Sequence, residues 1–396
     1  MKKLFVVSAS QLERDPRVRR QLQALSGSYR TIACGYSPPG IEGVGFIPLT
    51  PSRLSWFRKA IVALLLLCGR FHQYYWSRPE INAAMALSRE HSFDVILAND
   101  AAVLPMAARL AQEQGARLVF DAHEYAPREL EDNFMWRIFF QRYIQWICQT
   151  FLPKVDAMMT VCEGIAATYA SEYGVSPVVI SNAPAFEDLV PQSVNPQHIR
   201  IIHHGGASPT RRIELMIDMM DHLDPRFHLD LMLMPNNQEY LAKLRRQASR
   251  NNRIHFVDPV PMAEIVGTIN QYDIGLYILP GTNFNNYMAL PNKFFEFVQG
   301  RLAVAIGPSP EMCRITERYR FGLVSDDFEP QSLARKLNAL EADDIQKFKL
   351  KAHAAARELC AERNTELLTA LIDGLPLGRK PNIPKSCDDV GTICAA

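Results

Sequence analysis

The sequence lacks the patterns that would assign it to several common classes. Its eight cysteines (Cys34, Cys68, Cys148, Cys162, Cys313, Cys360, Cys387 and Cys394) form no Cys-x-x-Cys pair and no Cys/His cluster. That argues against a zinc site or a disulfide framework, so a reduced cytoplasmic protein is expected. Net charge is only +1, which leaves no global field for nucleic acid. Long apolar runs are missing too. Leu4–Val7 is followed at once by Glu13, Arg14 and Asp15, too short a run for an export signal. Ala60–Cys68 falls well short of the about 20 residues needed to span a bilayer. No GxGxxG follows Ile199–His203, which excludes the dinucleotide-binding fingerprint there. Finally, no Asp or Glu lies between Gly43 and Arg78.

What is present is the material of two cores. The chain has 396 residues, 48% apolar and 21% charged, too long for one ordinary domain and suited to two. Short apolar strands alternate with helical patterns, first from Leu4 to Ile180 and again from Ile199 onward. Such alternation predicts an α/β protein with parallel sheets and right-handed crossovers. A Pro-, Asn- and Ser-rich break at 184–198 reads as a linker. The expected organisation is therefore 1–183, the linker 184–198, 199–360, a C-terminal helical segment 361–378 and a loose tail 379–396.

The most informative stretch runs from Asn283 to Glu296 and on to Gly300, between the apolar strands Asp273–Leu279 and Leu302–Ile306. A helix starting after Pro291 presents free backbone N–H groups, which favour phosphate. Glu296 falls about one turn in, where a carboxylate can accept from a pair of sugar hydroxyls. Lys293 sits in the first turn, an unfavourable place for a cation unless an anion is bound. Gly205 and Gly206 end another strand, and Arg211 and Arg212 follow. Glycine permits close backbone approach and arginine suits a diphosphate. In the first half, Asp15-Pro16 is a helix start with Asp as cap. His123 follows the strand ending in Asp121-Ala122 and is flanked by Glu124, whose charge could tune the ring. Asn99-Asp100 reads as a helix cap or a site lining, and Asp326-Asp327 as capping rather than metal binding.

Two segments are rich in aromatics. Residues 53–78 combine Arg53, Arg58, Lys59, Arg70 and Arg78 with Trp56, Tyr74, Tyr75 and Trp76. They suit either a membrane-surface helix or a core helix with solvated flanks. Trp136–Leu152 has the spacing of a packed helix.

Taken together, Asp15-Pro-Arg-Val-Arg-Arg20, Phe120-Asp-Ala-His-Glu124, His204-Gly-Gly-Ala with Arg211, and Ala289-Leu-Pro-Asn-Lys-Phe-Phe-Glu296 with Gly300 resemble the retaining GT-B glycosyltransferases of the family-4 type (glycosyl transferases group 1). The likeness runs from about Lys2 to Leu375. It implies two Rossmann-like, doubly wound domains facing a central cleft, with the donor held mainly by the C-terminal one. On this resemblance His123 and Glu296 are the candidate catalytic residues, His123 beside the transferred sugar and Glu296 on the ribose. Gly205, Gly206, Arg211, Asn292, Lys293 and Asn286 would hold the nucleotide-sugar, with Arg212 as a substitute cation and 257–261 against the base. Asp15, Arg17, Asn99 and Asp100 would lie on the acceptor side. No cofactor and no metal are implied, since cationic side chains would stabilise the leaving nucleotide. The last helix, 364–375, would cross back to the first domain.

The family often carries two glutamates with seven residues between them. Here the first position is Met288, whose thioether cannot accept a sugar hydroxyl, and Asn283, Asn285 or Asn286 would have to substitute. The expected activity is transfer of a sugar, with retention, from a nucleotide-sugar to a glycan or lipid-linked acceptor. Cell-envelope polysaccharide or glycolipid synthesis is the expected setting, in the cytoplasm or peripherally on the inner face of the plasma membrane, with contact through residues 53–78. The alternatives are an inactive glycosyltransferase-like scaffold and a nucleotide-sugar epimerase of the same fold.

Overall fold

The computed structural model describes residues 1–52 and 55–376. The tail 379–396 and Arg53 lie outside the described residues. The described residues form two compact units, one of 1–160, 168–178 and 368–376, the other of Val161–Ala167 and Val179–Leu367. Each is built on a single parallel sheet, as the βα alternation requires.

The first unit holds seven strands: β1 (Lys3–Ser8), β2 (Arg30–Gly35), β3 (Gly45–Pro48), β4 (Val95–Asn99), β5 (Arg117–Ala122), β6 (Ala157–Thr160) and β7 (Val178–Val179), in the order β3-β2-β1-β4-β5-β6-β7. The second holds β8 (Ile199–Gly206), β9 (Phe227–Met234), β10 (Ile254–Val257), β11 (Ile274–Tyr277), β12 (Ala303–Ile306) and β13 (Gly322–Val324), in the order β10-β9-β8-β11-β12-β13. The central strands are apolar and buried on both faces: Leu4 to Val7 and Val95 to Ala98 are fully inaccessible, as are Leu276 and Tyr277. Both sheets reverse direction at one point, between β1 and β4 and between β8 and β11. In doubly wound sheets ligands bind at the carboxyl ends beside such a reversal.

Several details differ from the sequence pattern. The edge strand β3 is four residues long and framed by Gly45 and Pro48, too short and too broken to show period-two alternation. The helix after β8 begins only at Glu214, because Arg212 adopts a left-handed backbone with φ of 49°. Asn283 is not free in a loop: its side chain accepts from Asn286 N–H and caps a short helix, Phe284–Tyr287. Residues 134–151 divide into two halves. In Arg142–Phe151 one face is buried, through Tyr143, Ile144, Ile147, Cys148 and Phe151. The preceding Phe134–Gln141, which includes a π-helical turn, buries no residue. The packed-helix expectation therefore holds only for the later half.

The stretch 184–198 carries no helix or strand. It is held by Arg301, whose guanidinium donates to the Leu189 carbonyl at 3.1 Å and to that of Glu187. The last helix, Ala361–Asp373, begins in the second unit and ends in the first. There Asp373 accepts from Lys2 Nζ at 3.0 Å and from the Tyr29 hydroxyl at 2.8 Å.

Candidate functional site

In the first unit β1, β4 and β5 end abreast, with Ser8 in register with Asn99 and Asn99 with Asp121. The helix Pro16–Ser26 starts opposite these ends. Asp15 caps it, accepting from the N–H groups of Arg17 at 3.1 Å and Val18 at 3.2 Å. The cap aims Arg17 at Asp121, and the two close a bidentate pair at 2.6 and 2.7 Å. Gln21, one turn later, also donates to Asp121. Arg17, expected to face an acceptor, is thus buried inside the unit, and Asp15 is spent as a cap.

The pair orients His123, just past β5. Its Nε2 lies 3.2 Å from Asn99 Oδ1 and 3.4 Å from Asp121 Oδ2, and its Nδ1 lies 3.3 Å from Asp100 Oδ1. Asp100 turns outward with φ of 70°, a left-handed conformation that aspartate tolerates. Burial disfavours ionisation of Asp121, but Arg17 and then His123 outweigh it and hold its carboxyl below the usual range. For His123, burial opposes the charge, yet Asp100 and Asp121 push it up to about 9. His123 is therefore an imidazolium at neutral pH, a donor rather than a base. Beside it opens a cavity of about 240 Å³ whose lining includes Asp100, Ala101, Phe120, His123, Glu124 and Glu129. At about 30 Å³ per water it has room for one small polar ligand.

In the second unit the sequence runs His203-His204-Gly205-Gly206 at the end of β8. Gly205 has φ of +130°, and a Cβ there would lie 2.9 Å from Lys293 Nζ. The backbone there favours glycine, and a larger residue would also displace the lysine ammonium. Lys293 belongs to the helix Asn292–Gln299, which begins after Pro291. Its ammonium sits 4.3 Å from the centroid of the Tyr277 ring and 3.4 Å from His203 Nε2. Since His203 Nδ1 lies 2.9 Å from the Leu276 carbonyl, which can only accept, the ring proton is on Nδ1 and Nε2 is free to accept from Lys293. Arg211 reaches the same tyrosine from the turn Pro209–Arg211, donating to its hydroxyl at 2.7 Å. Glu296, one turn along the helix from Lys293, lies 3.4 Å from His204 Nε2. Burial and Lys293 push His204 down to about 3, so this contact is not an ion pair.

The structure thus brings Gly205, Arg211, Lys293 and Glu296 together at the carboxyl ends of β8 and β11. Burial and then Arg211 drive the Lys293 pKa well below that of an ordinary lysine, with Glu296 opposing them. Two cationic side chains beside one tyrosine, with amides of a helix start nearby, have the chemistry to hold a polyanion. Gly206 lies alongside, close to the Asn236 carboxamide. Asn292 is the first residue of the helix. Arg212 is not brought in: it is half-exposed and pairs with Glu214 at 3.0 Å. Asn286 spends its side-chain amide on Thr282 Oγ1 at 3.0 Å.

Met288 packs against Gly164. A Cβ on Gly164 would come within 2.6 Å of its sulfur, so its side chain covers the start of the helix Glu163–Tyr173. Beside it the Glu311 carboxylate accepts from the N–H groups of Glu163 at 3.1 Å and Gly164 at 3.0 Å. Asp326 and Asp327 are a salt-bridge partner of Lys336 and a cap on Glu329 N–H. Among the described residues no group of three or more His, Cys, Asp or Glu is placed to hold a metal ion.

Sequence reasoning missed Tyr277, His203 and the tie between Arg17 and Asp121. Tyr277 reads as one more apolar residue of a buried strand. The partners of the ion pair are 104 positions apart, and nothing local connects them.

Residues 28–184 match the family described as Glycosyltransferase Family 4. That match covers less than half of the chain. That stretch contains the His123 cluster, while the Lys293 cluster lies outside it. The fold over nearly the whole chain is similar to GT-B glycosyltransferases. HepE from Anabaena, solved in complex with UDP-glucose, is 14% identical with a TM-score of 0.69, over 95% of this chain and 100% of that one. Sucrose-phosphate synthase from Thermosynechococcus elongatus is 12% identical with a TM-score of 0.72, over 94% and 99%. WaaG, described as a glycosyltransferase involved in lipopolysaccharide biosynthesis, is 12% identical with a TM-score of 0.65, over 94% and 100%. At these identities the likeness establishes the fold. No curated protein matches the sequence.

Proposed function

We propose that this protein moves a sugar from a nucleotide-sugar to a hydroxyl of a glycan or lipid-linked acceptor, with retention, in the synthesis of a cell-envelope polysaccharide or glycolipid. The observation that carries the reading is the convergence of Arg211 and Lys293 on Tyr277, beside Gly205 and the start of the helix bearing Glu296. A diphosphate would supply the negative charge that this pair of cations lacks, and Glu296 would accept from the ribose hydroxyls. The segment 257–261 would pack on the base.

In the reaction, the bond between the anomeric carbon and the donor phosphate breaks as the acceptor oxygen bonds to that carbon from the same face. The acceptor proton passes to the departing phosphate oxygen. Lys293 and Arg211 stabilise the charge that builds on that phosphate, and no metal or other cofactor takes part. His123, charged at neutral pH, donates from Nδ1 to a hydroxyl of the transferred sugar in place of its contact with Asp100, while Asn99 and Asp121 hold Nε2.

UDP-sugars are the first donors to test, because HepE was solved with UDP-glucose. The experiment is a thermal-shift panel of UDP-, GDP- and ADP-sugars, followed by product analysis with and without added acceptors. Transfer or donor hydrolysis abolished by Glu296→Ala supports the reading. Binding without turnover would favour a scaffold, and conversion of the free donor with no acceptor an epimerase. Failure of every nucleotide to shift the protein would remove the assignment of the Lys293 cluster.

A further inference from the structure

The helix Trp56–Leu67 is oriented the opposite way from an ordinary surface helix. Its large apolar residues face outward: Trp56 is 81% exposed, Phe57 60%, Ile61 43%, Leu64 61% and Leu67 51%. Phe57, Ile61 and Leu64 recur at helical spacing, so they form one stripe rather than scattered singles. Leu66 is the one buried residue of this helix. Ser55 caps the start, with its side chain 3.4 Å from Arg58 N–H, so the outward stripe belongs to a formed helix.

This helix packs on the π-helical turn Arg137–Gln141. That second segment also turns apolar side chains to solvent, with Phe134 63%, Met135 57% and Ile138 39% exposed. Two stretches 70 to 80 residues apart in sequence therefore meet in one apolar surface. Monomeric proteins seldom leave so many large apolar side chains contiguous and uncovered.

The charges around it select an occupant. Arg58, Lys59, Arg70, Arg137 and Arg142 are all exposed on these segments. Arg137 stacks over the Phe134 ring, its guanidinium carbon 5.8 Å from the centroid. From Gly43 to Arg78 there is no carboxylate. A basic rim around an apolar face matches the interface of an anionic bilayer, where cations meet headgroups and aromatic rings sit below them. A second copy of the chain would bring the same cations against themselves. Among the described residues no helix is long and apolar enough to cross a membrane, so this contact is a surface one.

The geometry points to a composite membrane-docking face, made by the outward stripe of Trp56–Leu67 and by Phe134–Ile138, that binds the surface of anionic lipid bilayers. It stands independently of the sugar-transfer reading and holds even if that reading fails.

The test is flotation of the full chain with vesicles of phosphatidylglycerol and phosphatidylcholine, against phosphatidylcholine alone. Binding to the anionic vesicles is expected, weakened by salt. Leu64→Glu and Ile138→Glu should each lower the membrane partition constant by about tenfold, roughly 1.4 kcal/mol. Leu350→Glu, an equally exposed leucine in the other unit, should leave it unchanged. All three sites are exposed, and thermal unfolding confirms that the variants fold. In the unsubstituted protein, brominated lipids should quench the fluorescence of Trp56. The proposal is overturned if anionic vesicles do not bind, if Leu350→Glu matches the other two, or if Leu64→Glu instead dissociates a dimer that ignores lipid.

Discussion

Arg17 and Asp121 are joined by two hydrogen bonds of 2.6 and 2.7 Å, with the carboxylate fully buried. The pair links the first helix of the chain to the end of the strand that carries His123. Removing Arg17 takes away the larger stabilising charge and leaves the buried Asp121 with only Gln21 and His123, a loss of up to about 3–5 kcal/mol. Arg17→Ala should therefore lower stability by that order in chemical denaturation. Arg17→Lys keeps the charge but not the planar fork, and should recover only part of the loss. A stability change within experimental error for Arg17→Ala would contradict the buried pairing.

Lys293 and Arg211 are expected to share the phosphate charge. Lys293→Ala and Arg211→Ala should each weaken nucleotide binding by roughly 1.5–3 kcal/mol, as for lost charge-assisted hydrogen bonds. Tyr277→Phe removes only the hydroxyl that holds Arg211, and should weaken it by about 0.5–1.5 kcal/mol. Calorimetry with the nucleotide chosen by the panel checks both. Unchanged affinity in the first two variants would refute the phosphate assignment.

The same lysine makes binding proton-linked. Burial and Arg211 depress its pKa in the free protein. A bound diphosphate would favour the charged form and raise it, so binding takes up protons where the free lysine is partly neutral. Calorimetry in buffers of different ionisation enthalpy should show that uptake, and Lys293→Ala should abolish it.

Stability should also depend on pH through His123. Its folded pKa of about 9 lies above the reference value of 6.5. Its contribution is complete below 6.5 and is lost as pH rises through about 9. Asp121 acts at the other end, stabilising above the ordinary carboxylate range and less as pH falls into it. The thermal midpoint should therefore decline from neutral to mildly alkaline pH, and His123→Gln should flatten that decline. An unchanged slope in the variant would place the titrating group elsewhere.

The two sheets were legible in the sequence because their central strands are short, apolar and separated by helical patterns. Leu4–Val7 and Leu302–Ile306 needed only their composition. Most residues of the Lys293 cluster were legible as well. Gly205, Lys293 and Glu296 announce themselves as a glycine at a strand end, a cation in a first helical turn and a carboxylate one turn on. Tyr277 did not, since a buried aromatic gives no sign that two cations converge on it. Arg211 stood ahead of Arg212 on the family resemblance alone, not on any local pattern. The left-handed backbone at Arg212 separates them, sending one guanidinium to Tyr277 and the other to Glu214.

By itself, then, the sequence determined the architecture and pointed to most of the residues that cluster at the strand ends, because hydrophobic periodicity and helix starts are local properties of a chain. The tertiary structure alone decided three further things: that Arg17 is committed to Asp121, that Lys293 lies in a buried cationic cluster, and that Trp56–Leu67 and Phe134–Ile138 share one uncovered surface. Each depends on residues distant in sequence meeting at a particular orientation. Burial and charge at such a meeting are set by the surrounding packing, which no local pattern encodes.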